Sequence, residues 1–171
     1  RFEPTYDGDK SGLQLVGTTE DSTIHPSSVY GITKHTQESL VMTVGPTVGL
    51  SSVALRYQNV FGPGQSLTNP YTGILSIFST LIRQRKRINV FEDGLESRDF
   101  VFIDDVVRAT AQAALDPRSN DKILNVGSGI GTTVSTVVNE LMRAYGQTVP
   151  IETTGNFRLG DIRHNIADLT H

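Results

Sequence analysis

The sequence predicts an α/β protein whose strands pair in parallel. Short apolar runs recur along the chain, and stretches with apolar residues at helical spacing lie between them. Turn signals rich in Gly, Pro and Asp separate these runs from one another. At 171 residues, the chain can form one domain or a compact part of a larger protein.

The N-terminal segment, residues 1–28, is rich in Gly, Ser, Thr, Asp and Pro. It predicts a loop-rich insertion with one short strand at 13–16. A helix is predicted over 28–43, because apolar or small residues recur there at helical spacing. Gly45-Pro46 should end this helix, since neither residue favours a helix interior.

Strands and helices alternate through the rest of the chain. The predicted strands, which are short runs of largely apolar residues, lie at 52–57, 88–91, 100–103, 122–126 and 150–153. The predicted helices, each with one apolar face, lie at 73–84, 106–115 and 134–145. A turn-rich loop separates the first of these strands from the next helix at 61–66, and Asp93-Gly94 ends the second strand. Asp104 or Asp105 should cap the second of these helices.

Composition excludes several function classes. The formal charge of −3 gives no general attraction to nucleic acid or to an anionic membrane, and no apolar run is long enough to span one. Without cysteine, neither disulfides nor thiolate metal sites can form, which fits the cytoplasm. The four histidines lack ligand spacing, so no metal site is predicted. The basic run 83–87 follows a predicted helix end, where cations oppose the helix dipole.

Tyr30 and Lys34 form the one pair that indicates chemistry. They are four residues apart, so both side chains lie on one face of the predicted helix. A tyrosine pKa is near 10, and a neighbouring ammonium or nicotinamide cation would lower it by favouring the phenolate. Such a tyrosine could exchange a proton with a hydroxyl group. Taken alone, the short spacing favours a partly buried helix tyrosine and a solvated lysine, and the neighbouring residues change that balance.

Several ordered motifs extend this pair into a family resemblance. They are PSSVYGITK at 26–34, LRYQNVFGPG at 55–64, SRDFVFIDDV at 97–106, NVGSG at 125–129 and FRLGDIRH at 157–164. With them, the chain resembles the extended short-chain dehydrogenase/reductase family, and within it the NAD-dependent sugar-nucleotide epimerases and dehydratases. The segment NPYTGIL at 69–75 is most similar to the dTDP-rhamnose 4-epimerase-like branch.

The resemblance implies a fold and a domain organisation. The chain would be the C-terminal part of a Rossmann-type doubly wound parallel sheet, together with the smaller substrate-binding α/β region. Residues 29–60 would complete the NAD-binding domain, and 61–171 would mainly bind substrate, with 122–145 returning to the Rossmann domain. The family's N-terminal glycine-rich fingerprint is missing, so we expect a piece of a longer protein that is inactive alone.

The resemblance also implies an activity. Tyr30 would be the general acid/base, Lys34 would tune it and hold the cofactor ribose, and Tyr57 would join them at the cofactor. The reaction would be epimerisation of a UDP- or dTDP-hexose by transient oxidation at C4 and hydride return through NAD. The implied substrate contacts are Asn59, Arg98 and Arg158 at the diphosphate and Asp161 at the ribose. The family resemblance further implies a homodimer, packed through the Tyr-Lys helix.

Alternatives stay open at this point. A 4,6-dehydratase of the same family, or a non-catalytic module that binds sugar nucleotides, would also fit. The family's catalytic Ser or Thr is not identifiable, and Thr18, Thr19 and Ser22 receive no role. The structural alternatives for the substrate contacts are an ion pair of Arg98 with Asp99 or Glu96, a loop charge for Arg158 and a loop cap for Asn59. The glycine-rich stretch 127–131 imitates a dinucleotide fingerprint, but Thr132 replaces its third glycine, so we predict a turn capped by Thr132 or Thr133.

Overall fold

A computed structural model describes residues 2–4, 13–67, 73–157 and 161–171, and it confirms the α/β class. The strands are β1 (Phe2–Pro4), β2 (Leu13–Leu15), β3 (Val53–Tyr57), β4 (Asn59–Phe61), β5 (Ile88–Val90), β6 (Ser97–Phe102), β7 (Lys122–Val126), β8 (Gly131–Thr133), β9 (Ile151–Thr153) and β10 (His164–Asn165). The helices are α1 (Val29–Thr47), α2 (Ile74–Arg83), α3 (Ile103–Leu115) and α4 (Val134–Tyr145), with a 3-10 turn at Pro117–Ser119.

Parallel pairing dominates the sheets, as the sequence predicts. Strand β3 pairs with β7, β5 with β9, and β6 lies between β4 and β10, all in parallel. Antiparallel pairs join β8 to β6 and β1 to β2. The four strands β1, β4, β8 and β10 were not predicted, because runs of two or three residues carry too little periodicity.

Two apolar clusters hold the helices and strands together. The larger one buries side chains of α2, α4 and β5, with Ile82, Ile88 and Val138 each at 0% exposure. The smaller one joins β6, α3 and β7 through Val101 and Val106 with Val126. Each fully buried aliphatic side chain stabilises the fold by about 1.5–3 kcal/mol relative to exposure. The helix α1 belongs to neither cluster and buries no residue.

The helix α1 runs further than predicted. It continues through Gly45 and Pro46 to Thr47, so the prediction that these two residues end it was wrong. Pro46 lies in the last turn, where its missing N–H removes only one hydrogen bond. Gly45 is required by packing instead, because a Cβ atom there would lie 1.8 Å from the Oγ atom of Ser52. None of the helices in the described part of the chain is long and apolar enough to cross a membrane.

The start of α3 also differs from its prediction. Strand β6 begins at Ser97, earlier than expected, and α3 begins directly after it at Ile103. Asp104 and Asp105 therefore lie in the first helical turn, and neither is the cap. Their carboxylates still stabilise the helix, because negative charge is favourable near a helix N-terminus.

The glycine-rich stretch after β7 is confirmed as a turn that leads into a helix. Thr133 is the N-cap of α4, and its Oγ1 atom accepts the backbone N–H of Thr136 at 3.1 Å. The turn itself wraps around the carboxylate of Asp99, which is 0% exposed. One oxygen of Asp99 accepts the backbone N–H and the hydroxyl of Ser128, both at 2.7 Å. The other accepts the N–H groups of Gly129 at 3.0 Å and Ala167 at 3.2 Å.

We expect Asp99→Asn to destabilise the protein by at least about 2 kcal/mol, because an amide NH₂ would face two backbone N–H donors that then lose their acceptor. Urea unfolding would measure the free energy. The matched control is Asp105→Asn, which removes a carboxylate paired with Arg108 on the surface and should change stability by less than about 0.5 kcal/mol. Equal stability of Asp99→Asn and the wild type would contradict this role of the carboxylate.

Candidate functional site

Tyr30 and Lys34 lie on one face of α1, as their spacing predicts. The helix begins after Ser28, whose Oγ atom accepts the backbone N–H of Gly31 at 3.1 Å. The cap places Tyr30 in the first turn and Lys34 in the next. The Nζ atom of Lys34 lies 5.7 Å from the centroid of the Tyr30 ring, and both side chains are exposed. The ammonium is therefore close enough to act on the phenol electrostatically.

This face of α1 borders a cavity of about 670 Å³. Tyr30, Lys34 and Tyr57 all line it, so the three residues predicted at the cofactor converge on one space. Tyr57 ends β3, and its hydroxyl lies 2.8 Å from the Oγ1 atom of Thr110 on α3. That contact fixes the ring at the edge of the sheet. The cavity's walls come from α1, from β3 and from the loop 18–24.

An ion pair on the same face of α1 escaped the sequence analysis. The Nε and Nη2 atoms of Arg56 donate to the two oxygens of Glu38 at 2.7 and 2.8 Å. The hydrogen bond from Arg56 lowers the pKa of Glu38, and the same bond raises the pKa of Arg56. Glu38 follows Lys34 by four residues, so the spacing that singled out Tyr30 and Lys34 could also have identified it.

Two of the predicted substrate contacts meet directly. The Nη2 atom of Arg98 donates to Asp161 at 2.9 Å, while its Nη1 atom donates to the carbonyls of Ser97 at 2.9 Å and Arg163 at 3.0 Å. The alternative that Arg98 pairs with Asp99 or Glu96 was therefore wrong about the partner. Strand alternation turns Asp99 inward and leaves Arg98 at the sheet surface.

Of the other two predicted contacts, the structure describes only Asn59. Asn59 begins β4, and its side-chain Nδ2 atom donates to the carbonyl of Asp99 at 3.1 Å. That bond ties Asn59 to the strand that carries Arg98, and it leaves the amide oxygen of Asn59 for another partner. Arg158 lies outside the described residues.

An acidic cluster beside these residues was also missed. Glu92, Asp93 and Glu96 bring carboxylate oxygens within 4.8 Å of one another. The guanidinium of Arg163 bridges Glu92 and Asp93, and its hydrogen bond lowers the pKa of Asp93. In the part of the chain that the structure describes, two of the three carboxylates are thus ion-paired with Arg163. Arg163 lies about 70 residues after Glu92 and Asp93, so sequence spacing could not reveal these ion pairs. The absence of a metal site stays a prediction.

The described residues fit one end of a dinucleotide. Tyr30, Lys34 and Tyr57 offer an ammonium, two phenol rings and a shared cavity, which suit a nicotinamide and its ribose. The glycine-rich turn at 127–131 does not suit the pyrophosphate. Its N–H groups at Ser128 and Gly129 already bind the carboxylate of Asp99.

Comparison with known proteins places these features in a family. A profile described as the NAD dependent epimerase/dehydratase family matches residues 5–127. The chain is 41% identical over 164 residues to a dTDP-L-rhamnose 4-epimerase of Burkholderia thailandensis, covering 95% of this chain and 45% of that protein. It is 31% identical over 156 residues to a UDP-glucose 4-epimerase of Mycolicibacterium smegmatis, covering 90% and 48%.

Solved structures give the same result. A UDP-glucose 4-epimerase of Thermotoga maritima, crystallised with UDP-glucose, has a TM-score of 0.79 at 33% identity and covers 92% of this chain and 50% of that one. A UDP-glucose 4-epimerase of Thermus thermophilus in complex with NAD has a TM-score of 0.80 at 26% identity, covering 97% and 51%. The chain thus spans about half the length of the relatives it matches.

Proposed function

This chain belongs to the NAD dependent epimerase/dehydratase family, and from that premise we propose that the whole protein is a nucleotide-sugar 4-epimerase. Its substrate would be a hexose linked to UDP or dTDP, since the similar proteins act on or bind such compounds by their names. The single observation that carries the proposal is that Tyr30, Lys34 and Tyr57 line one cavity, with the Nζ atom of Lys34 lying 5.7 Å from the centroid of the Tyr30 ring.

In the proposed chemistry, the residues of this chain remove a proton from the sugar and later return one. NAD, when bound, supplies the acceptance and return of a hydride at the sugar carbon. Tyr30 takes the proton of the C4 hydroxyl through its phenol oxygen and later gives a proton back. Lys34 would hold the cofactor ribose and act on the phenol by its charge, and its Nζ atom lies 5.7 Å from the centroid of the Tyr30 ring. Tyr57, held by Thr110, closes the cavity beside them.

The nucleotide diphosphate would be bound at the start of β6, where Arg98 is the second residue. Arg98 has a planar guanidinium that can donate to two phosphate oxygens in parallel. Its present partner is the carboxylate of Asp161, which takes the place of the phosphate. The guanidinium is therefore already oriented before the substrate binds. Asp161 would then turn to the ribose hydroxyls, and Asn59 and Arg158 would add further phosphate contacts.

The proposed domain organisation follows the pairing of the strands. Residues 29–60 and 122–145 would belong to the cofactor domain, and the parallel pairing of β3 with β7 supports this grouping. The remainder of 61–171 would mainly bind substrate, and residues 1–28 would be an insertion. A cytoplasmic location is part of the proposal, and cell fractionation with an antibody to the protein would test it.

We expect the whole protein to be a homodimer that packs through α1. This helix exposes a row of apolar side chains, among them Ile32 at 52%, Leu40 at 56% and Val44 at 49%. Exposed apolar surface of this kind marks an interaction site. Light scattering should give twice the mass of one chain, and Leu40→Glu should shift the protein to the monomer. A monomeric wild type would contradict this assembly.

We expect Tyr30→Phe to reduce kcat of the whole enzyme by about 100-fold or more, because the exchangeable proton is lost while the ring remains. Nucleotide affinity should stay near the wild-type value. A coupled assay of C4 inversion would measure the rate, with Tyr145→Phe at the end of α4 as a control of unchanged activity. Wild-type turnover in Tyr30→Phe would remove the catalytic assignment and favour a non-catalytic binding module.

We expect Arg98→Ala to weaken binding of the nucleoside diphosphate by about 10- to 150-fold, which corresponds to a charge-assisted hydrogen bond of about 1.5–3 kcal/mol. Arg98→Lys should restore only part of the affinity, because lysine offers a point charge. Calorimetric titration would measure both, with Arg108→Ala on the exposed face of α3 as the control. Unchanged affinity in Arg98→Ala would leave Arg98 as a structural partner of Asp161.

A further inference from the structure

The ion pair between Glu38 and Arg56 is the link between the proposed catalytic helix and the sheet. Both oxygens of Glu38 accept from Arg56, at 2.7 and 2.8 Å. Along the described chain, these two are the only side-chain hydrogen bonds that join α1 to β3. The two side chains are only 16% and 23% exposed, so water screens the pair less than it screens a surface pair.

Among the described residues, the two apolar clusters do not include α1. The helix has no buried residue over its 19 positions, and it lies outside both apolar clusters. A helix held by a wide apolar face loses little when one polar contact is removed. The apolar side chains that α1 exposes are proposed to face a second copy of the chain, so within one chain the directional contact that holds α1 to β3 is the bidentate pair of Glu38 and Arg56.

The arginine is itself anchored on its far side. Its Nη1 atom donates to the carbonyl of Glu20 at 2.8 Å, and the carboxylate of Glu20 accepts the N–H of Asn125 at 2.7 Å. The side chain of Asn125 on β7 donates in turn to the carbonyls of Thr18 at 2.9 Å and Asp168 at 3.1 Å. The guanidinium is therefore linked, directly or through Glu20 and Asn125, to the loop at 18–20, to β7 and to the chain at Asp168. Glu38 attaches α1 to these three segments.

Glu38 shares its helix face with the proposed catalytic pair. It lies one turn beyond Lys34 and two turns beyond Tyr30, and all three line the cavity together with Arg56. Resting on the proposed function, we propose that Glu38 is a positioning residue: through Arg56 it sets the depth and rotation of α1, and thereby the place of Tyr30 and Lys34 in the cavity.

The role requires a carboxylate of this length. A glutamine at position 38 keeps one acceptor oxygen but turns an NH₂ group toward the Nε or Nη2 atom of Arg56, so one of the two bonds is lost. An aspartate keeps both oxygens but is shorter by one methylene, so it can hold the pair only by drawing the helix toward the strand. Displacement of a reacting group by about 1 Å can cost about 100-fold in rate.

The test uses the whole enzyme with its NAD and compares Glu38→Gln with the wild type. We expect kcat to fall by about 10- to 100-fold while KM for the nucleotide sugar changes by less than about threefold, because the substrate contacts lie on other elements. The NAD content and the circular dichroism spectrum should not change. The matched control is Glu140→Gln, which breaks the exposed pair with Arg143 on α4 and should leave kcat and KM unchanged.

Glu38→Asp and Arg56→Lys complete the test and serve if Glu38→Gln does not fold. Aspartate keeps the charge pair, so a low kcat in a folded Glu38→Asp supports positioning, whereas full recovery shows that charge alone matters and overturns it. Arg56→Lys should lower kcat in the same way, because lysine cannot hold both oxygens. A kcat within twofold of wild type in Glu38→Gln, or a change in KM alone, overturns the inference and leaves the proposed function standing. A wild type that inverts no nucleotide hexose overturns both.

Discussion

The candidate site depends on one buried carboxylate. Asp99 has no exposed surface, and its two oxygens accept four hydrogen bonds from the turn after β7 and from Ala167 near the C-terminal end. A buried charge is tolerable only when donors surround it in this way. The same contacts bring the turn so close that a Cβ atom on Gly127 would lie 2.6 Å from the carboxylate. Two segments distant in sequence, the turn after β7 and the chain at Ala167, are thereby fixed beside β6.

This constraint decides where Arg98 goes. Burial alternates along β6, with Ser97, Asp99 and Val101 inward and the residues between them partly exposed. A shift of the strand by one residue would exchange the two sets, and the four donors around Asp99 prevent it. With Asp99 held inward, Arg98 must face the surface, where Asp161 and the carbonyl of Arg163 receive it. A structural carboxylate thus orients the neighbouring guanidinium that we propose for phosphate.

The sequence predicted what short-range periodicity determines. Helices α2 and α4, strand β7 and the Tyr30–Lys34 face follow from residues within a few positions of one another, and the structure has them nearly where expected. Strands β4, β8 and β10 exist only because β6 offers them a partner, so their own residues carry little signal. The contacts Arg56–Glu38 and Arg98–Asp161 join residues 18 and 63 positions apart. Only the fold brings such residues together.

The glycine-rich turn shows why a local motif cannot assign a ligand. Backbone N–H groups in a tight turn form a site that can bind either a ligand anion or a carboxylate of the protein itself. In this chain the anion is Asp99, which lies 29 residues before Ser128 in sequence. A carboxylate held there excludes a phosphate, because both need the same donors. This leaves side chains to recognise the substrate diphosphate in our proposal, where the guanidinium of Arg98 has a half-exposed partner, Asp161, that a ligand could replace. The turn that imitates a nucleotide site therefore contributes to the proposed site indirectly, because its contacts with Asp99 fix the strand that carries Arg98.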